Sequence, residues 1–249
     1  MKLDVIYNED CYKGIKNIPS NSIDLIVTDP PYDMNIGTSN NCGVMKGRTN
    51  TFIQQIKETN LDKGLNFEIL DEYVRVLKRI NIYIWCNKSM IFPLLKYFVE
   101  EKKCNYDLLI WGKSNPIPFC GSHYLVDKEY CLFFWEQGAT IEIPFERAKT
   151  VYVTNTNTSD KEEFGHPTIK PMEIIKNLIS NSTKVGGVVL DTFMGSGTTA
   201  VACKELDRHY IGFELNPDYY RIAVDRVNGI SARDRELKSK GVQTIFDFL

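Results

Sequence analysis

The chain has 249 residues, of which 43% are hydrophobic and 25% charged, and its formal net charge is -2. This is the composition of an ordinary soluble globular protein, with enough chain for one large domain and a full core. The near-neutral balance argues neither for nor against nucleic acid, because a local basic groove can coexist with an acidic remainder.

The opening "MKLDVIYNED" lacks a signal-peptide pattern, since acids interrupt it at once. No apolar run approaches a membrane span of about 18 residues. The seven cysteines (Cys11, Cys42, Cys86, Cys104, Cys120, Cys131 and Cys203) are scattered and never form a CxxC pair. They read as reduced thiols, with neither a disulfide framework nor a zinc site, in a protein expected to be cytoplasmic.

In chain order, strands are expected at "LDVIY" (3–7), "IDLIVT" (23–28), "NIYIWC" (81–86), "YDLLIW" (106–111), "EYCLFFW" (129–135), "GVVLDT" (187–192) and "HYIGFE" (209–214). Helical patterns fill residues 67–79, 90–102, 171–181, 198–206 and 217–230. In the first of these, Leu70, Val74 and Leu77 make an apolar stripe among charges. Strands alternating with helices predict a mostly parallel sheet covered on both faces. Two stretches break the rhythm, 33–64 and 112–166, and long irregular insertions in such domains are usually functional or mobile.

Two motifs carry chemistry. "IVTDPPYDMNI" (26–36) drives an apolar strand into Asp29-Pro30-Pro31-Tyr32. Two successive prolines have no N–H to donate, so the strand must stop there. What remains is a stiff corner rich in acceptors, with an aromatic ring beside it. "VVLDTFMGSGTTAVACKEL" (188–206) runs from a strand ending at Asp191, through Gly195 and Gly197, into a helix opening at Thr198 or Thr199. Glycines allow positive φ and close approach of a ligand to the backbone, and the free N–H groups of the helix start favour polar or anionic groups. Glu214 ends the next strand, where nucleotide folds place an acid for ribose hydroxyls. Ala200 occupies the third glycine position of the dinucleotide fingerprint, and no phosphate-binding G-x-x-x-x-G-K-[ST] loop is present.

DPPY at 29–32 and FMGSGTT at 193–199, with "GHPTIKP" (165–171) between them, resemble the motifs of β-class amino-group DNA methyltransferases. "RVLK" (75–78) and "WGKSNPIP" (111–118) add to a likeness that runs from Leu3 to about Asn228. The resemblance implies an α/β fold. It is a Rossmann-like S-adenosylmethionine-dependent methyltransferase sheet, mostly parallel with helices on both faces. It is circularly permuted, so that the catalytic motif precedes the cofactor motif and "LDVIY" lies beyond "YIGFE". One domain, 1–249, would carry target-recognition insertions at 33–64 and 112–166.

The implied reaction moves a methyl group from S-adenosylmethionine to N6 of an adenine flipped out of duplex DNA, leaving S-adenosylhomocysteine. An exocyclic amine is a poor nucleophile because its lone pair is delocalised into the ring. Acceptors at the Asp29 carboxylate and the Pro30 carbonyl, stiffened by Pro31, would stabilise positive charge growing on that nitrogen. Tyr32 offers a ring on which the base can stack, worth about 1–3 kcal/mol. None of the seven cysteines follows a proline, which argues against carbon-5 cytosine chemistry.

For the cofactor, the resemblance implies contacts at Asp29, Asp191, Phe193, Gly195, Ser196, Gly197, Thr198, Thr199 and Glu214. Asp10 either bonds the cofactor's adenine amine or caps the helix starting near Cys11. His166 reads as part of the cofactor loop, with a general-base role as the other option. Lys170 or Thr168 either meets the methionine carboxylate or caps the start of the helix before Pro171.

Candidate DNA contacts sit in the irregular stretches: Lys46, Arg48, Lys113 and Asn115, with Tyr32 at the base. Double-stranded DNA is the implied partner and the nucleoid the implied setting; a homodimer and a cognate restriction endonuclease are compatible additions. The tail at 232–248, charged then apolar, reads as a docking helix or an oligomer contact. Rival readings are an N4-cytosine DNA methyltransferase, an RNA methyltransferase, and a non-catalytic binding module of the same fold.

Overall fold

A computed structural model describes residues 1–32, 64–116, 124–156, 169–231 and 234. Among the described residues, eight strands form one sheet: β1 (Val5–Tyr7), β2 (Leu25–Thr28), β3 (Asn81–Cys86), β4 (Asn105–Lys113), β5 (Lys128–Trp135), β6 (Val151–Thr154), β7 (Val188–Asp191) and β8 (His209–Phe213). Their order across the sheet is β1-β8-β7-β2-β3-β5-β4-β6. Among these strands β5 alone opposes its neighbours, pairing antiparallel with both β3 and β4.

β1 lies parallel to β8, with Val5 opposite Ile211. The N-terminal strand therefore extends the sheet beyond the last one, as the permuted order requires. β2 and β3 are buried at every position, which is why their sequences read as nearly unbroken apolar runs rather than as alternations. β6, not separately anticipated, is an edge strand beside β4.

Helices cover both faces. On one side lie α1 (Cys11–Gly14), α2 (Ile69–Val76) and α3 (Lys88–Leu95), packed through Ile15, Tyr73 and Leu94. On the other lie α4 (Met172–Ser182), α5 (Thr198–Glu205) and α6 (Pro217–Val227), packed through Ile175, Ala202 and Ala223.

Two boundaries differ from the periodicity. α2 stops at Val76 because Leu77 turns extended and bridges to Ile23, joining the sheet instead of the helix. α3 contains Pro93, and the chain continues from Lys96 to Glu101 as a wider π-helical turn. Among the described residues no helix is long and apolar enough to cross a membrane.

Candidate active site

β1, β8, β7, β2 and β3 all end at the same edge of the sheet. β5 runs the other way, so it begins there, with Tyr130 opposite Cys86 and Glu129 just outside. A cavity of about 780 Å³ opens over this edge. It has the size of a small-molecule site and lies where open α/β sheets bind ligands.

Asp29, Pro30, Pro31 and Tyr32 line one side of the cavity. Asp29 is held from two directions. The Tyr32 hydroxyl donates to Oδ1 at 2.8 Å, and Lys170 Nζ donates to Oδ2 in a short ion pair. Lys170 Nζ also meets Glu129 Oε2 at 3.1 Å, and Lys113 Nζ meets Glu129 Oε1 at 2.7 Å. Trp85 lies beneath the Lys170 ammonium, 5.1 Å from ring centroid to nitrogen, and Trp111 lies beneath Lys113. Burial raises the pKa of Asp29, against the pull of Lys170, and the nearby Glu129 pushes it further up. Burial also acts to raise Glu129, but Lys170 and Lys113 outweigh it and lower that carboxyl to about 2.

The glycine loop forms the other side. Asp191 accepts from the Phe193 N–H at 3.0 Å and from the Thr199 hydroxyl at 2.6 Å, so it pins both ends of the loop. Burial raises its pKa to about 6. Glu214 accepts from the Gly195 N–H at 2.8 Å and from the Asn216 N–H at 2.8 Å. Burial raises it to about 7. Phe193, Gly195, Ser196, Thr198, Thr199, Asp191 and Glu214 all line the cavity.

Gly197 does not join them. It sits at φ +82°, and a Cβ there would come within 3.0 Å of Ala223, so its role is the turn and the approach of α6. Arg226 of α6 reaches back to the loop, donating to the Thr198 hydroxyl at 2.9 Å and to Ser196 Oγ at 3.2 Å.

Asp10 caps α1, accepting from the Tyr12 N–H at 2.9 Å, and also lines the cavity. Lys170 lines the cavity, and its ammonium is shared by two protein carboxylates, Asp29 and Glu129. Lys113, expected on DNA, points inward to Glu129 with its side chain 17% exposed. Asn115 Oδ1 accepts from the Thr156 N–H at 2.6 Å, tying two loops together. His166, Thr168, Lys46 and Arg48 lie outside the described residues, as do nearly all of 33–64, residues 117–123 and 157–166 of the second stretch, and nearly all of the tail.

Glu129 and Trp85 were not legible as site residues. Glu129 reads as the polar first residue of an apolar strand, and only the reversed direction of β5 brings it to the cavity. Trp85 lies inside a fully buried strand and reads as core.

Residues 23–225 match the family described as DNA methylase. The Type II methyltransferase M.HpaI of Haemophilus parainfluenzae is 31% identical over 252 residues, which cover 91% of this chain and 76% of that protein. The Type II methyltransferase M2.LlaDCHI of Lactococcus lactis subsp. cremoris is 27% identical over 246 residues, covering 90% and 89%. Among solved structures, the crystal structure of the M1.HpyAVI–SAM complex superposes with a TM-score of 0.66 at 27% identity, over 90% of this chain and 98% of that one.

Proposed function

The chain belongs to the DNA methylase family of amino-group methyltransferases, and from that premise we propose that it methylates N6 of an adenine flipped out of duplex DNA, using S-adenosylmethionine. The observation that carries the reading is the single cavity shared by the Asp29-Pro30-Pro31-Tyr32 corner and the loop of Asp191, Gly195 and Glu214.

The residues suit the cofactor. Glu214 directly follows β8, its carboxylate oriented by two backbone N–H groups, where ribose hydroxyls can donate to its remaining lone pairs. Phe193 and Phe213 supply apolar wall for an adenine ring. When bound, S-adenosylmethionine supplies an electrophilic methyl group on a sulfonium.

The protein's part is to prepare the amine. A base stacked in a duplex cannot reach this edge, so the target must leave the stack, at a cost of a few kcal/mol. Asp29 accepts one amine hydrogen and the Pro30 carbonyl the other. Both acceptors favour the tetrahedral nitrogen and stabilise the positive charge it gains as it takes the methyl group. The prolines hold those acceptors with fixed φ angles, so little reorganisation is needed during the reaction. The Tyr32 hydroxyl on Asp29 fixes the carboxylate and leaves the tyrosine ring half-buried along the cavity.

Adenine is favoured over cytosine because the motif opens on Asp29, the form that goes mostly with adenine in resembling enzymes. We assign target recognition to residues 33–64 and to the parts of 112–166 outside β4, β5 and β6, in a single domain spanning 1–249; β5 belongs to the central sheet, so the full 112–166 span is not an insertion. Lys46, Arg48 and Asn115 are the proposed contacts there.

The test is incubation with labelled S-adenosylmethionine and unmethylated mixed-sequence DNA, followed by digestion to nucleosides and mass spectrometry. The expected product is N6-methyladenine. N4-methylcytosine would overturn the base assignment and keep the mechanism, and label on RNA in place of DNA would overturn the substrate.

A further inference from the structure

Four side chains alternate in charge across the catalytic side of the cavity: Asp29, Lys170, Glu129 and Lys113. They come from the end of β2, the segment before α4, the start of β5 and the end of β4. Lys170 is the innermost, with its side chain 7% exposed, against 23% for Asp29 and 21% for Glu129. A buried ammonium persists when carboxylates and a π face meet it, and Lys170 has two carboxylates and the Trp85 ring. Removing a buried ion's partner is costly, so this set acts as a unit.

The arrangement bears on Asp29 directly. A carboxylate at the end of an apolar strand tends toward protonation, and a protonated acid would offer an O–H to the amine where an acceptor is required. Tyr32 on Oδ1 and Lys170 on Oδ2 together fix the plane of the carboxylate. Glu129, shared with Lys113, holds Lys170 in register from the far side.

We infer that Lys170, anchored by Glu129 and backed by Lys113, is a positioning residue that holds Asp29 as an oriented, ionised acceptor, and is not a ligand for the cofactor's carboxylate. The inference rests on the reading of Asp29 given above. Among the described residues, the groups that face Asp29 are Lys170, Glu129 and Cys131 of β5, Tyr32 of its own loop, Cys86 at the end of β3 and Asp191 at the end of β7. Lys170 is the cation of that set. Its loss therefore raises the pH at which Asp29 ionises, whereas loss of the Glu129 charge lowers it.

The test uses the full chain and three readouts: the pH profile of kcat for methyl transfer to DNA, the Kd for S-adenosylhomocysteine, and a ¹³C-carboxyl NMR titration of Asp29. The last is assigned by comparison with Asp29→Asn and needs no cofactor. In Lys170→Met the Asp29 midpoint and the acid limb of kcat are expected to move up together by about one pH unit or more. The S-adenosylhomocysteine Kd is expected to stay within about threefold of wild type. Lys170→Arg should restore most of the profile. If Lys170→Met does not fold, Lys170→Gln carries the test, with the same upward shift of the midpoint expected. An unmoved midpoint in these variants overturns the inference, and so does a tenfold or greater loss of S-adenosylhomocysteine affinity in Lys170→Met. Wild-type protein that transfers no methyl group to DNA overturns the functional reading instead, while the NMR and binding readouts still decide the role of Lys170.

Discussion

The two sides of the cavity give their carboxylates different partners. On the glycine-loop side, the partners of Asp191 and Glu214 are backbone N–H groups and the Thr199 hydroxyl. Burial dominates there and raises their pKa values to about 6 and about 7. On the DPPY side, lysines meet the carboxylates directly: Glu129 falls to about 2, while burial still raises Asp29 against the pull of Lys170. An acid that awaits a ligand's hydroxyls can be left with neutral partners, because the ligand completes it. An acid that must accept from a reluctant amine needs its charge and orientation settled before the base arrives.

The largest effect should come from removing the acceptor on the lysine side. Asp29→Ala is expected to lower kcat by roughly 10²–10³-fold, the usual loss for one preorganised electrostatic partner. Its DNA affinity should stay close to wild type. Methyl transfer at full rate in this variant would end the assignment of Asp29 as the acceptor.

Next is the scaffold of the neutral side. Gly197→Ala places a side chain at φ +82° against Ala223. It should cost about 1–3 kcal/mol of stability, read from urea unfolding. An unchanged midpoint would mean that the loop and α6 move apart freely.

Glu214→Gln should weaken S-adenosylhomocysteine binding about tenfold, near 1.4 kcal/mol, which isothermal titration calorimetry can read. With saturating cofactor, kcat should barely change. A large fall in kcat at unchanged affinity would blur the division between the two sides.

The smallest effect is also the most direct contrast, because Glu214 on one side and Glu129 on the other should respond to pH with opposite sign. The folded-state pKa of Glu214 is raised from 4.5 to about 7. The native state thus holds this proton more tightly than the unfolded chain, and the stability it contributes is full below 4.5 and lost as pH rises through about 7. Glu129 is lowered from 4.5 to about 2, so its contribution is present above 4.5 and lost as pH falls through about 2. Urea unfolding across pH of wild type against Glu214→Gln and Glu129→Gln should show these slopes; slopes of the same sign would contradict the contrast.

Much of this was legible in the residues. Seven strands and the helices between them follow from apolar runs and stripes whose periods are local properties of the chain. The DPPY corner and the glycine loop were legible because each is a continuous segment at a strand end, with prolines or glycines marking where the backbone must turn. Gly197 was legible as a special position but not as a packing one, because the neighbour that demands a glycine, Ala223, lies on another helix.

The partners of charged side chains were not legible. Lys113 and Lys170 looked free for DNA and cofactor, yet both are committed to Glu129, and Lys170 also to Asp29. Those contacts join segments far apart in the chain and depend on β5 entering the sheet in reverse. The sequence by itself determined the strands, their stops, and the residue types available for methyl transfer, since these depend on backbone sterics and burial patterns within short windows. Tertiary structure alone decided which charge meets which, because Coulomb interactions and burial depend on distance in space, and strand order and direction set that distance.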